Sequence, residues 1–315
     1  MFLLVLRICR FFSQRHRMLS LIPPELKHTA CKHLIQPNNR LSLWFFRTFR
    51  NAATAPAPHV RLTRRTVKSS GADISVFQYT PKSTSMEIPG TPVVLWIHGG
   101  GYIMGSAAVD HEYCSYLAQD LQCQIFSVDY RLAPEHPYPI PLDDCYTALE
   151  WLCSQTPSSI VVVGSSAGGG LAAALVQRAV DNKITIAFHA LIYPMLDDAT
   201  GHTDTTTTFA PLWWPSANRY GWRSYLGGNG KTTKPGCYAV PARRDDLSGT
   251  PPAWIGVGTL DLFYAENVAY AMRLPECELV TVPGMYHGTD ILVPNDERMV
   301  AFRDSLLTAI RKHLA

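Results

Sequence analysis

Short apolar runs rich in valine and isoleucine alternate with helical windows along most of this 315-residue chain. Continuous runs of this kind are typical of strands buried on both faces, and strands that alternate with helices imply a mostly parallel sheet wrapped by helices. The sequence therefore predicts an α/β fold. The predicted strands are residues 60–67, 74–79, 93–97, 124–128, 160–163, 184–192 and 254–257, and the predicted helices are 113–119, 142–153, 168–180, 264–273 and 297–313.

One predicted strand runs directly into a serine flanked by glycines. Residues 164–168 read Gly-Ser-Ser-Ala-Gly, and a helix of small residues follows. A glycine is needed two residues before and two after the serine because side chains there would clash in the strained turn between strand and helix. This turn lifts a serine hydroxyl clear of the sheet, where it serves as a nucleophile. Ser165 competes for that role, but the glycine spacing centres the motif on Ser166.

A second glycine-rich stretch, His98-Gly99-Gly100-Gly101, follows the predicted strand 93–97. Glycines allow backbone N–H groups to crowd a substrate oxygen, which acyl transfer requires. Together with the downstream serine turn, the stretch predicts an oxyanion hole formed by the N–H groups of Gly100, Gly101 and Ala167.

An acid and then a histidine are expected after later strands, because this arrangement places nucleophile, acid and base in that chain order. Asp261 follows the strand ending near residue 258, and His287 follows a further predicted strand at 280–284. His287 would take the Ser166 proton and later protonate the leaving group, while Asp261 orients the imidazole.

These motifs resemble the hormone-sensitive-lipase-like branch of the α/β-hydrolases, which includes plant carboxylesterases and related bacterial esterases. The resemblance implies an α/β-hydrolase fold with a helical cap, and a serine carboxylester hydrolase that acts on small or medium acyl esters through an acyl-enzyme, without metal or cofactor. Its pieces, which run from about residue 93 to 287, are residues 98–101, 130–136, the serine turn, Tyr193-Pro194, residues 258–261 and His287-Gly288.

Two departures from the family pattern leave the subfamily and substrate open. Ser165 stands where many members carry Asp, and Leu262 and Ala265 replace the Pro and Asp that usually surround the acid motif. The resemblance also implies that residues 129–139 shape the wall of the active site. Within that stretch it gives Glu135 a structural role near the serine turn rather than a catalytic one.

The N-terminal part differs from the body in charge. Before Asp73 the chain has thirteen lysines and arginines and one acid, Glu25. Residues 1–21 form a basic amphipathic pattern, which predicts a mitochondrial presequence, a surface helix, or an extension upstream of a start at Met18. A helical pattern resumes from residue 23 to about 51. We predict residues 1–58 as a basic segment with the first part of the cap, the alternative being a plain packing helix.

The second part of the cap is predicted within the catalytic domain of residues 59–315, as an insertion at about 197–228. There the strand pattern breaks into polar residues, including four threonines at 205–208, and aromatic residues. Trp213 and Trp214 are predicted to bind substrate; the alternative is that they only join the cap to the core.

The composition of the chain argues against several other classes of function. With 17% charged residues and a net charge of +3, and no interleaving of basic and aromatic residues in the body, nucleic-acid binding is not expected. No apolar run is long enough for a stable membrane span. The eight cysteines show no metal-ligand spacing and are predicted to be reduced. Without an obvious secretory signal, an intracellular, cytoplasmic enzyme is expected.

Two other functions fit parts of the pattern. An acyltransferase, lyase or cyclase acting on a natural-product intermediate would use the same residues, since esterases and transferases share the acyl-enzyme. A non-catalytic ligand-binding protein of the same fold is disfavoured because all three triad residues are present. The oligomeric state is left open, with a homodimer as one choice.

Overall fold

The computed structural model describes residues 2–50, 52–83, 88–202, 209–228 and 236–314, with the backbone alone for residues 2–10 and 50. The threonines at 205–208 lie outside these ranges. The described residues form one eight-stranded sheet. Its strands are β1 (Val60–Ser69), β2 (Ala72–Pro81), β3 (Pro92–Ile97), β4 (Gln124–Asp129), β5 (Ser159–Ser165), β6 (Phe188–Ile192), β7 (Ala253–Gly258) and β8 (Cys277–Val282).

The strands lie in the order β1-β2-β4-β3-β5-β6-β7-β8. β1 and β2 pair antiparallel at one edge, and the six strands from β4 to β8 are parallel. The mostly parallel sheet predicted from the sequence is therefore confirmed. Because the carboxyl ends of parallel strands meet at one edge of a sheet, the loops after β3, β5, β7 and β8 lie on the same side.

The bounds of two predicted strands differ most from the observed ones. β6 begins four residues later than expected, because the N–H of Ile184 closes the end of the preceding helix on Ala179 O. β8 ends at Val282 rather than at residue 284, because Gly284 takes a φ of +77° and begins a turn. Both differences concern the ends of strands, where local hydrogen bonds compete with strand pairing.

Helices cover both faces of the sheet. Side chains of β3 alternate between two hydrophobic clusters: Val93, Leu95 and Ile97 enter one, and Val94 and Trp96 enter the other. The helices are α1 (Phe2–Leu21), α2 (Arg40–Arg50), α3 (His111–Leu121), α4 (Ile140–Ser154), α5 (Ala167–Asp181), α6 (Pro215–Tyr225), α7 (Tyr264–Ala271), α8 (Thr289–Leu292) and α9 (Glu297–Arg311). α4 and α5 pack on the first cluster, and α3 and α9 pack on the second.

The helical pattern predicted from residue 23 to 51 is only partly correct. Two short 3₁₀ turns, Pro24–Leu26 and Thr29–Lys32, precede an irregular stretch, and the helix α2 begins at Arg40. Prolines in this stretch lack the N–H that a continuous helix needs. Asn39 caps α2, since its Oδ1 accepts a hydrogen bond from Ser42 N at 2.9 Å. We call residues 22–50 the N-terminal lip.

Candidate active site

The serine turn has the geometry that its sequence predicted. Ser166 lies between β5 and α5 with a φ of +54° and a ψ of −121°, which is a strained conformation for a non-glycine residue. The flanking glycines are required by space. A Cβ on Gly164 would lie 2.3 Å from Gly168 O, and one on Gly168 would lie 2.1 Å from Ile97 O. The turn is further held by Ser166 N, which donates to Ile192 O at 2.8 Å.

Ser166, His287 and Asp261 form a continuous hydrogen-bonded chain. Nε2 of His287 lies 2.9 Å from Ser166 Oγ, and Nδ1 of His287 lies 2.9 Å from Asp261 Oδ2. The second oxygen of Asp261 accepts from Phe263 N at 2.9 Å. The Asp261 side chain is fully buried, so its carboxylate is held in one orientation toward the imidazole.

The imidazole of His287 is enclosed by two aromatic rings. Tyr193 and Phe263 contact it edge-on, with ring centroids at 4.7 and 5.2 Å. The Tyr193 hydroxyl donates to Asp290 Oδ1 at 3.0 Å, and burial raises the pKa of that carboxyl. Neither Phe263 nor Asp290 was singled out from the sequence. The one sequence signal that could have indicated Asp290 is its position three residues after His287.

The glycine stretch after β3 leaves backbone donors near the serine. Gly100 and Gly101 have φ values of +123° and +62°, and a Cβ on Gly101 would lie 2.4 Å from the Trp213 ring. Among the described residues, no group accepts a hydrogen bond from the N–H of Gly100, Gly101 or Ala167. The prediction that they form an oxyanion hole is therefore compatible with the hydrogen bonds of the described residues.

His98 anchors the glycine stretch without entering the triad. Its ring stacks on Tyr130 at 4.1 Å, and the Tyr130 hydroxyl donates to His98 O at 2.9 Å. His98 Nδ1 bonds to Gly99 O at 2.8 Å. Burial lowers the pKa of the His98 imidazole, which favours the neutral ring. His98 thus has a structural role, because its ring and backbone contacts hold the glycine stretch in place.

A cavity of about 290 Å³ opens over the triad, and apolar side chains dominate its wall. Trp213 lines it, with its Nε1 donating to Asn218 Oδ1 at 3.2 Å. Trp214 does not line it and packs instead against Phe11, with ring centroids 5.0 Å apart. Only one of the two tryptophans predicted to bind substrate therefore reaches the cavity. The other predicted residues that line it are Gly100, Gly101, Ser166 and His287.

The N-terminal lip provides one wall of this cavity. His33, Ile35, Gln36 and Phe46 all line it. The lip is fastened to the body close to the triad, because Gln36 Nε2 donates to Leu212 O at 3.0 Å. The sequence offered no contact partner for these residues, since they lie more than a hundred positions from the serine.

The same lip is joined by Arg47 to the loop that follows the glycine stretch. Its guanidinium donates to Ile103 O at 2.7 Å and to Ala133 O at 2.8 Å, and it forms a two-point ion pair with Glu135 at 2.8 and 2.9 Å. Glu135 does not line the cavity that contains Ser166. Glu135 therefore acts on α2 through Arg47, while its expected position near the serine turn stays a prediction.

Asp110 is the one aspartate or glutamate among the described residues that line the cavity. Its Oδ2 accepts a hydrogen bond from Trp96 Nε1 at 2.8 Å. Burial raises the pKa of Asp110 to about 6, and the indole bond opposes this shift without cancelling it. Asp110 was not predicted from the sequence as a residue of the site, because a single acid in a loop belongs to no recognisable motif.

Three further observations bear on other chemistry. Across the described ranges, no group of three or more His, Cys, Asp or Glu side chains is placed to hold a metal ion. The cysteines from Cys31 to Cys277 are free thiols, and burial raises the pKa of several, including Cys123 to about 12. No helix in the described part of the chain is long and apolar enough to cross a bilayer.

The sheet order, the serine turn and the hydrogen-bonded triad define a hydrolase-type α/β protein. Residues 94–291 match the family model described as the alpha/beta hydrolase fold. The chain belongs to this family, and the predicted resemblance to its hormone-sensitive-lipase-like branch is confirmed.

Individual relatives agree with this placement. The chain is 34% identical to the carboxylesterase NlhH of Mycobacterium tuberculosis over 247 residues, covering 73% of this chain and 76% of NlhH. It is 32% identical to the esterase LipI of the same organism, covering 75% of each. Among solved structures, a bacterial heroin esterase superposes with a TM-score of 0.81 at 32% identity, covering 94% of this chain and 99% of the esterase.

Proposed function

We propose that this protein is a serine carboxylester hydrolase with Ser166 as nucleophile, His287 as general base and acid, and Asp261 as the group that orients His287. The observation that carries the proposal is the chain of two 2.9 Å hydrogen bonds that joins Asp261 to His287 and His287 to Ser166, the last two of which line the cavity. Relatives named carboxylesterase and esterase support it.

In the first half-reaction, Ser166 Oγ attacks the carbonyl carbon of the ester while its proton passes to His287 Nε2. The carbonyl oxygen becomes an oxyanion. In this proposal it accepts hydrogen bonds from the N–H groups of Gly100, Gly101 and Ala167, which have no other acceptor among the described residues. The bond to the alcohol oxygen then breaks, and the alcohol leaves with the proton from His287.

In the second half-reaction, a water molecule attacks the acyl-Ser166 carbonyl and gives a proton to His287 Nε2. The second oxyanion collapses, the carboxylic acid leaves, and Ser166 Oγ regains its proton from His287. Asp261 stabilises the imidazolium in both halves, because its buried carboxylate faces Nδ1. Protons balance over the cycle, and no cofactor takes part in these steps.

We further propose that the substrates are small or medium acyl esters. A cavity of about 290 Å³ lies near the lower end of the range for ligand pockets, and Trp213 narrows it beside Gly101. In this proposal the N-terminal lip and the insertion at 197–228 together act as a cap, with residues 1–58 and 59–315 as the two units. Intracellular location and the mitochondrial alternative remain predictions from the sequence.

The test is turnover of p-nitrophenyl esters of increasing acyl length, combined with mass spectrometry after an organophosphonate trap. We expect a burst of nitrophenol and one label per chain on Ser166 in the native protein, and neither in Ser166→Ala. Ser165→Ala is the matched control, since the neighbouring serine has no bond to His287, and it should keep the label.

Each outcome decides a part of the proposal. An unlabelled native protein that does not turn over any ester would overturn the hydrolase assignment. Labelling of Ser166 with turnover only after an alcohol is added would replace hydrolysis by acyl transfer, because both reactions share the acyl-enzyme.

A further inference from the structure

The outward face of α2 is apolar. Its side chains Leu41, Trp44, Phe45 and Phe49 are exposed to 76, 60, 42 and 62%. We call these four residues the outer face of α2. A surface helix of a globular protein normally turns charged and polar residues to solvent, so contiguous apolar exposure of this kind marks an interaction site.

The helix that carries this face is firmly held. On its inward side Leu43 and Phe46 are buried, and Arg47 donates to Ile103 O and Ala133 O. The exposed rings also pack on one another, since Phe45 and Phe49 have centroids 5.0 Å apart. The apolar surface is thus presented by an anchored element rather than by a loose end.

Further apolar side chains of the lip lie at the cavity, and one of them belongs to α2 itself. Leu34 and Ile35 precede α2 and are exposed to 56 and 57%. Ile35 and Phe46 also line the cavity above Ser166. Whatever covers the outer face of α2 therefore lies beside the entrance to the candidate active site.

The free charges on the lip are mostly basic, because Glu135, which packs beside Trp44 of α2, is held in an ion pair with Arg47. Lys27, Lys32 and Arg40 are exposed on the lip, and α2 itself contains no acid. The single acid before Asp73, Glu25, lies 3.4 Å from the Arg298 guanidinium. Exposed Trp, Phe and Leu flanked by lysine and arginine form the pattern of a helix that lies in the interface of an anionic bilayer.

We propose that the N-terminal lip docks onto an anionic phospholipid surface through the outer face of α2, with the mouth of the cavity turned toward the lipid. A second copy of the chain is the less favourable occupant. In a two-fold symmetric pair, the same patch meets itself, which would bring the basic flanks of both lips together. A surface of negative headgroups neutralises those charges instead, while the rings enter the acyl boundary.

The test is flotation of the full chain with vesicles of phosphatidylcholine, with and without phosphatidylserine. We expect the chain to float with the anionic vesicles, and the double variant Trp44→Ser, Phe45→Ser to partition about 100-fold less because two large apolar side chains no longer insert. Met272→Ser is the matched control, since Met272 is 82% exposed at the end of α7, outside the lip.

The basic flank is tested separately. Arg40→Ser and Lys32→Ser should each weaken partitioning by about fivefold, and high salt should weaken it further, because headgroup attraction is electrostatic. Lys312→Ser removes an exposed charge at the other end of the chain and should leave partitioning unchanged. Equal binding to neutral and anionic vesicles would overturn the electrostatic part of the proposal.

Lipid docking must also be distinguished from misfolding and from self-association. All variants are first compared with the native chain by thermal unfolding, so that a loss of fold is not taken for a loss of docking. A native chain that fails to float with anionic vesicles overturns the proposal. So does a lipid-free dimer, seen by analytical ultracentrifugation, that dissociates in the double variant. Ser166→Ala should float like the native chain, so docking is decided independently of ester hydrolysis.

Discussion

The cavity has two walls of opposite character. On one side, Ser166, Asp261 and His287 stand at the carboxyl ends of strands and are exposed to only 7, 7 and 8%. On the other side, the N-terminal lip presents exposed residues such as Ile35, and side-chain contacts such as the bond from Gln36 to Leu212 O fasten it to the body. The difference teaches that the chemistry rests on the rigid sheet, whereas access to it depends on a thin basic segment.

The largest predicted effect lies on the sheet side of that comparison. Asp261→Asn should lower kcat by about 10⁴-fold, because the amide no longer holds His287 in the tautomer that accepts the serine proton. The measurement is steady-state hydrolysis of a short p-nitrophenyl ester.

A matched control for this change is Asp290→Asn. Asp290 is also buried nearby, but it bonds to Tyr193 rather than to His287. We expect a loss well below that of Asp261→Asn. If kcat falls equally in the two variants, the orienting role of Asp261 is wrong. The loss would then come from changing any buried carboxylate in this region.

The next effect concerns the glycine stretch that borders both walls. Gly101→Ala places a Cβ 2.4 Å from Trp213 and strains a φ of +62°, so the loop must shift. Loss of one oxyanion donor costs about 10²- to 10³-fold in kcat. Single-turnover rates should show the loss in acylation.

The control for backbone strain is Gly90→Ala. Gly90 has a similar φ of +75°, yet no atom of the described residues lies within 4 Å of the added Cβ. It should lose some stability and keep nearly full activity. An equal loss of kcat in both variants would mean that Gly101 acts through stability alone.

A smaller effect is predicted for the pH dependence of folding. The pKa of Asp110 is raised by burial to about 6, above its ordinary value, so the folded chain binds a proton that the unfolded chain releases between about pH 4 and 6. Stability from this group is therefore fully present below about pH 4 and falls as pH rises to about 6, by about 2 kcal/mol after allowance for partial exposure.

Asp110→Asn removes this titration and still accepts the Trp96 hydrogen bond. Urea unfolding from pH 4 to 8 should show the variant growing more stable than the native chain as pH rises, with a plateau above about pH 6. Asp304→Asn, an exposed aspartate on α9, is the control and should show no such trend. A constant difference across the range would contradict the proposed ionisation of Asp110.

The smallest effect belongs to the lip. Gln36→Ala removes the hydrogen bond to Leu212 O that fastens the lip beside the triad. A hydrogen bond of this kind contributes about 1 kcal/mol. We expect KM to rise about fivefold with kcat nearly unchanged, measured with a medium-chain ester. A fall in kcat at unchanged KM would mean that Gln36 contributes to catalysis rather than to substrate access. The proposed difference between the two walls would then be wrong.

Much of this fold follows from local sequence. The serine turn was predicted because strand, glycine spacing and helix occur within about fifteen consecutive residues, and the positions of Asp261 and His287 followed from the order of the strands. The bounds of β6 and β8 were less accurate, because the ends of strands depend on single hydrogen bonds such as that from Ile184 N to Ala179 O.

Contacts between distant segments could not be predicted. Arg47 and Glu135 lie 88 positions apart, and no periodicity links them. Trp213 and Trp214 are adjacent and chemically alike, yet only Trp213 lines the cavity. The same holds for Asp110, whose pKa depends on how deeply the surrounding loops bury it.

The sequence by itself therefore determined the parallel sheet, the serine turn and the order of the three triad residues, because each depends on short-range pattern and backbone geometry. Only the tertiary structure decided which side chains enclose the cavity, how the lip is fastened across it, and that the outer face of α2 is left exposed. The reason is that burial and contact arise from the packing of segments far apart in the chain, and no local pattern encodes which of them will meet.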